Sequence, residues 1–200
     1  MKFSRGILVI GALLAVVLLA ACSRPYQFTG TPFDPVIAAP EIPGAQSDGT
    51  AFDMDELTGK VVLLFFGYTF CPDICPLTLA EMKSVIEQLG DKADNVAVVF
   101  VTLDPERDTP DRLSAYLQSF DPAFIGVQTT QAALESIKKD YGVFSEKRVL
   151  DASQSAADYL IDHTGWTYLI DHQGDLRAIF SMDATPEQIA ADVSYLVDAR

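Results

Sequence analysis

The chain predicts an α/β fold, with strands and helices alternating around a mostly parallel sheet, an N-terminal extension and an insertion before a final hairpin. Three observations carry that expectation. Val61–Phe66 and Val96–Leu103 are continuous apolar runs rich in β-formers, as in strands buried on both faces. Each is followed by apolar residues at helical spacing, after Cys75-Pro76 and Thr109-Pro110, and a proline suits the first turn of a helix. Near the C-terminus, two strand-like runs flank Asp171-His172-Gln173-Gly174, a hairpin turn signal.

The elements follow in order. Residues 22–48 carry Pro25, Pro32, Pro35, Pro40 and Pro43 without periodicity, which predicts an extended, flexible tether. From Gly49 the pattern becomes regular, and the folded domain is expected over 49–200. Thr50–Leu57 alternate weakly, as in a short hairpin before Gly59-Lys60. After the strand Val61–Phe66, Cys75 is expected to cap a helix whose first residue is Pro76. Leu79, Met82, Val85, Ile86 and Leu89 line one face of that helix, and Gly90 ends it. Val96–Leu103 leads to a helix capped by Asp108 or Thr109. A short strand is expected at Phe124–Val127 and a helix at Thr130–Tyr141, closed by Gly142. Trp166–Ile170 and Leu176–Phe180 form the hairpin, and Pro186–Val197 the last helix. A cysteine pair at the first strand-to-helix turn of such a series makes the topology thioredoxin-like.

The first residues read as an export signal. Lys2 and Arg5 precede the apolar run Ile7–Ala20, which has the length of a signal-peptide core and falls short of the ~20 residues of a spanning helix. Leu19-Ala20-Ala21-Cys22 resembles a bacterial lipobox. Residues 1–21 are therefore expected to be removed and Cys22 lipidated, leaving the domain anchored to a membrane and facing the periplasm or the outside. The formal net charge of −14 excludes nucleic acid as a natural partner and favours a basic one. With Cys22 assigned to the anchor, Cys71 and Cys75 are the remaining two of three cysteines, in an oxidising compartment. A staple across so short a loop would constrain little of the unfolded chain, so the pair points to chemistry.

That chemistry has two readings. A thiolate at a helix N-terminus is stabilised by the helix dipole and by unpaired N–H groups, which suits both redox exchange and metal binding. The Cys-x-x-x-Cys spacing is wider than the redox-active Cys-x-x-Cys and lets two sulfurs share a soft metal. His163 lies just ahead of the strand Trp166–Ile170, in the loop that faces the cysteine turn in a thioredoxin-like fold. Thioredoxins place a cis-proline there, and this chain has no proline between Pro122 and Pro186. Two thiolates and one imidazole suit copper, since thiolates select Cu(I) and imidazole accepts either Cu(I) or Cu(II). Structural zinc would call for a fourth ligand.

Three motifs in this order resemble the Sco/SenC family. They are Phe66-Gly67-Tyr68-Thr69-Phe70-Cys71-Pro72-Asp73-Ile74-Cys75-Pro76, then Thr102-Leu103-Asp104-Pro105-Glu106-Arg107-Asp108-Thr109-Pro110, then Asp162-His163-Thr164 leading into Tyr168-Leu169-Ile170-Asp171. The resemblance implies an exported copper chaperone that helps assemble the binuclear copper centre of cytochrome c oxidase. It implies Cys71, Cys75 and His163 as copper ligands. The implied partners are the copper-bearing oxidase subunit or another copper chaperone, and a thioredoxin-like reductant.

The competing expectation is an enzyme or sensor: a thiol–disulfide oxidoreductase keeping the oxidase cysteines reduced, with Cys71 attacking and Cys75 resolving. A redox-inert binding module is the third. Among secondary candidates, Asp73 and Asp162 are placed to tune the ligands or bond His163. Asp104 and Arg107 are either a functional pair or a local ion pair ordering a turn. His172 is expected to be exposed in its turn, and Trp166 to pack near the His163 loop.

Overall fold

The computed structural model describes residues 25–150 and 158–200. The expected leader 1–21 and the lipidation candidate Cys22 lie outside the described residues. Ten strands are described: β1 (Thr31–Ala38), β2 (Gly44–Gln46), β3 (Ala51–Phe52), β4 (Val61–Gly67), β5 (Val96–Thr102), β6 (Ile125–Gln128), β7 (Ser145–Val149), β8 (Tyr159–His163), β9 (Thr167–Ile170) and β10 (Asp175–Phe180). Four helices accompany them: α1 (Ile74–Leu89), α2 (Pro110–Gln118), α3 (Gln131–Tyr141) and α4 (Pro186–Asp198). Eight strands form one sheet in the order β1-β10-β9-β4-β5-β6-β2-β3, and β7 and β8 form a separate two-stranded ribbon.

The centre of the sheet is the parallel trio β4, β5 and β6, with β9 antiparallel to β4 on the other side. Every residue of β4 and β5 is buried, as their unbroken apolar runs predict. Alternation divides them between two cores. Val61, Leu63, Phe65, Val96, Val98 and Phe100 face α1, α2 and α4, whereas Val62, Leu64, Phe66, Ala97, Val99 and Val101 face α3 and the N-terminal segments. This is the thioredoxin-like arrangement the sequence predicts.

Three expectations need correction. The segment expected as a tether is largely structural. Thr31–Ala38 pairs antiparallel with β10, Gly44–Gln46 pairs with β3 and β6, and Ile42 is buried. The prolines are compatible with this because β1 is an edge strand, where a missing N–H donor leaves no ladder bond unmade. Ahead of β1, the chain is tied to α4 through Asp192, whose carboxylate accepts bonds from the Tyr26 hydroxyl and from Thr29 and Gly30 backbone N–H groups. Tyr26 also stacks on Tyr195 at 3.7 Å.

The hairpin expected within Thr50–Leu57 is formed instead by β2 and β3, because Asp53 accepts a bond from the Asp55 N–H and turns the chain into a 3₁₀ helix over Met54–Leu57. The first helix begins at Ile74 rather than Pro76, with Asp73 in the cap position. First-turn N–H groups have no intrahelical partner, so a proline fits anywhere in that turn and does not fix the start. In α2 the cap is Thr109, whose hydroxyl accepts from the Arg112 N–H. No helix among the described residues is long and apolar enough to cross a membrane.

Asp192 is fully buried and accepts from four donors of the strap: the Tyr26 and Thr29 hydroxyls and the Thr29 and Gly30 N–H groups. Asp192→Ala is expected to cost about 3 kcal/mol, since bonds to a charged group contribute about 1.5–3 kcal/mol each and the orphaned donors rehydrate only in part. Urea unfolding measures the loss, and hydrogen exchange should show it concentrated in residues 26–38.

Candidate metal centre

The site lies at the C-terminal ends of β4 and β5, where parallel strands hand over to loops and helix N-termini. β4 ends at Gly67, and here a side chain is sterically excluded: a Cβ would lie 2.8 Å from the Cys75 sulfur and 2.9 Å from the Phe65 and Phe100 rings. The turn that follows is held from behind. Asp108, fully buried, accepts from the Thr69 N–H at 3.0 Å, the Thr69 hydroxyl at 2.6 Å and the Thr102 hydroxyl at 2.6 Å. The Cys71 N–H closes the turn onto the Tyr68 carbonyl. Cys71 is left partly exposed, and Cys75 is fully buried in the first turn of α1.

His163 arrives from the opposite side, as the last residue of β8. Its Nδ1 lies 2.9 Å from the Thr164 carbonyl oxygen, which can only accept, so Nδ1 carries the proton. That leaves the Nε2 lone pair facing the sulfurs, 3.4 Å from Cys75 Sγ. The two sulfurs and a ring nitrogen all lie within 4.8 Å of one another, beside a cleft of about 300 Å³ lined also by Tyr68, Ile74 and Ile161. A backbone carbonyl fixing the far ring nitrogen is the usual support of a metal-binding histidine.

The two thiols share one proton. The hydrogen bond from Cys75 is the main cause holding Cys71 down at about 4, against the cost of its burial. Burial first, then the bond to Cys71 and its negative charge, push the Cys75 thiol far up. The reduced pair is thus one thiolate and one thiol, beside the His163 ring. Tyr68, buried behind the pair, is pushed up to about 12 by its burial and stays a phenol.

The other candidates are placed differently. Asp162 pairs with Arg148 across the ribbon at 3.1 Å and does not bond His163. Asp73 is exposed and makes no side-chain cap bond. Asp104 and Arg107 do form an ion pair. His172, expected to be exposed, is partly buried, with its Nδ1 enclosed. Trp166, three positions after His163, is 38 % exposed. Asp108 is the residue that sequence reasoning undervalued: read as a helix cap, it holds the cysteine turn instead. A larger cavity of about 670 Å³ between Pro43–Ala45, Pro105-Glu106 and Gln128–Ala133 has neither cysteine nor histidine in its lining.

Fold and site together define a thioredoxin-like protein whose cysteine pair faces a histidine in place of a cis-proline. The chain belongs to the SCO1/SenC family, whose sequence profile matches residues 44–198. It is 37% identical over 142 residues to an SCO2-like protein of Rickettsia felis, covering 71% of this chain and 68% of that one. Among solved structures, it is similar to Bradyrhizobium japonicum ScoI with copper bound, at 36% identity and a TM-score of 0.71, covering 80% of this chain and 99% of that one. It is also similar to apo Sco1 from Thermus thermophilus, at 32% identity and a TM-score of 0.74, covering 87% and 99%.

Alkylation of the reduced protein should find one fast thiol and one slow one. Cys71 is expected to react at a rate nearly independent of pH above about 5, because its thiolate is already formed, while Cys75 stays protected until the protein unfolds. The same shift gives a linkage. Cys71 is ionised in the folded state down to about 4 and protonated in the unfolded state below about 9, so it adds stability that is complete at high pH. That contribution fades as pH falls from about 9 to about 4 and is absent in Cys71→Ser, which paired unfolding curves measure.

Proposed function

We propose that this chain is an exported copper carrier, holding copper on Cys71, Cys75 and His163 and passing it to the copper-bearing subunit of cytochrome c oxidase. The observation that supports it best is the convergence of two sulfurs and an Nε2 lone pair within 4.8 Å beside an open cleft. Three soft or borderline donors, with room for an incoming fourth, match a cargo site better than a permanent one. Transfer then proceeds by ligand exchange, as a thiolate or imidazole of the recipient enters through the cleft while His163 or Cys71 leaves. Copper binding requires Cys75 to lose its shared proton, so pH and copper compete directly at this sulfur. The leader supports a placement at the membrane, with Cys22 as the lipidated residue and the domain facing the periplasm or the outside.

A second reading is favoured by the same thiolate. Cys71 is the accessible and ionised member of the pair and Cys75 the buried one, the division of labour of an attacking and a resolving thiol. Both roles need the reduced pair, and a thioredoxin-like reductant would serve either. His163 separates them, since imidazole is needed to hold copper and not to exchange disulfides.

An anaerobic titration of the reduced full chain should show one tightly held copper, with release of about one proton per copper near neutral pH. Cys71→Ser, Cys75→Ser and His163→Ala should each weaken Cu(I) competition against a chelator and change the Cu(II) absorption and electron-paramagnetic-resonance spectra. Full copper affinity in His163→Ala would overturn the three-ligand reading, and rapid disulfide cycling without tight copper would favour the oxidoreductase. A soluble fragment for such work should begin at Pro25, since one beginning at the expected domain boundary, residue 49, discards β1, β2 and the strap held by Asp192. For the anchor, mass spectrometry of the membrane-extracted protein should find a lipid-modified N-terminal Cys22, whereas an intact Met1–Ala21 would indicate an uncleaved anchor.

A further inference from the structure

The two halves of the ligand set come from elements of very different solidity. Cys71 and Cys75 sit on the central sheet and α1, whereas His163 sits on the ribbon β7–β8, which lies outside the main sheet. Of the ribbon's residues only Ile161 is buried, and two strands alone are marginal in water. Something must hold the imidazole in place. Tyr159, Ile161 and His163 alternate along one strand and so share one face.

Each of the first two is docked. The Ile161 N–H donates to the Tyr68 hydroxyl at 3.1 Å. Tyr159 is gripped by Arg107: the guanidinium lies 3.5 Å from the centre of the Tyr159 ring, and its Nη1 donates to the Tyr159 carbonyl at 3.0 Å. The Tyr159 hydroxyl donates to Asp104 at 2.7 Å, and Asp104 in turn pairs with Arg107. The same guanidinium lies 4.6 Å from the centre of the ring of Phe70, the residue before Cys71.

We infer that Arg107, oriented by Asp104, is a positioning residue for copper, setting the distance from His163 to the cysteine pair by its place between Tyr159 on one ligand-bearing element and Phe70 on the other. The inference rests on the copper reading of Cys71, Cys75 and His163. Asp108, on the same loop, fixes the cysteine turn through Thr69, so one short segment sets both halves of the site. The surface pair of Lys147 with Glu106, at 2.7 Å, joins the ribbon to that segment too. A planar cation in contact with two rings and with a directed Nη1–H is a geometry that lysine reproduces only in part.

The test is a cycle between Arg107→Gln and His163→Ala in the reduced full chain, read by Cu(I) competition and by the imidazole-nitrogen coupling in the Cu(II) spectrum. Arg107→Gln should weaken copper binding about tenfold or more and diminish the nitrogen coupling, with Arg107→Lys intermediate. In the His163→Ala background the same substitution should change affinity less than about twofold, since the ligand through which it acts is gone. An equal loss in both backgrounds, or unchanged affinity and nitrogen coupling in Arg107→Gln, would overturn the positioning role. If His163→Ala binds copper as tightly as the parent, the copper reading itself fails and the inference falls with it. Tyr159→Phe removes only the hydroxyl bond to Asp104; should Arg107→Gln not fold, it carries the same paired outcomes at smaller amplitude.

Discussion

One buried carboxylate sets the frame in which the cysteines act. Asp108 sits behind the turn that follows β4 and accepts three short bonds, two from Thr69 and one from Thr102 at the end of β5. Burial raises its pKa, and those bonds pull the other way without fully offsetting it. The arrangement costs desolvation and returns geometry, because a carboxylate with three directed donors admits one turn conformation. β4 and β5 run parallel and in register, Gly67 beside Thr102, so the two loops leave the sheet side by side. The cysteine turn and the Asp104–Asp108 segment are therefore a single unit.

That unit explains the unequal thiols. Cys75 is enclosed under α1 and against Gly67, where an ionised sulfur is poorly solvated, so it keeps its proton and donates it to Cys71. Cys71, nearer the surface, takes the negative charge. The site is prepared for a cation that can replace one proton, and a soft one fits two sulfurs and a nitrogen. An ionised sulfur is also the form that attacks a disulfide.

The N-terminal strap shows a second use of a buried carboxylate. Asp192 gathers Tyr26, Thr29 and Gly30 against α4, and the chain then runs as the edge strand β1 beside β10. The described chain is accordingly fastened to the domain from Tyr26 onward. Proline-rich composition at an edge is consistent with pairing on one side only.

What the sequence determined by itself was local and periodic. Unbroken apolar runs gave β4 and β5, helical spacing and threonine caps gave the helices, and the motifs carrying Cys71, Cys75 and His163 named three candidate ligands before any geometry was known. The misjudged parts depended on partners far along the chain. Prolines at 32 and 35 read as a tether because nothing near them reveals β10 as a neighbour. Asp108 read as a helix cap because its bond to Thr69 spans 39 positions. Asp104 and Arg107 read as either a functional pair or a local ion pair; the ion pair forms, and only the tertiary structure placed it against Tyr159, 52 positions away from Arg107. Propensity and spacing act within a few residues, whereas a buried charge is satisfied by whatever the fold brings to it.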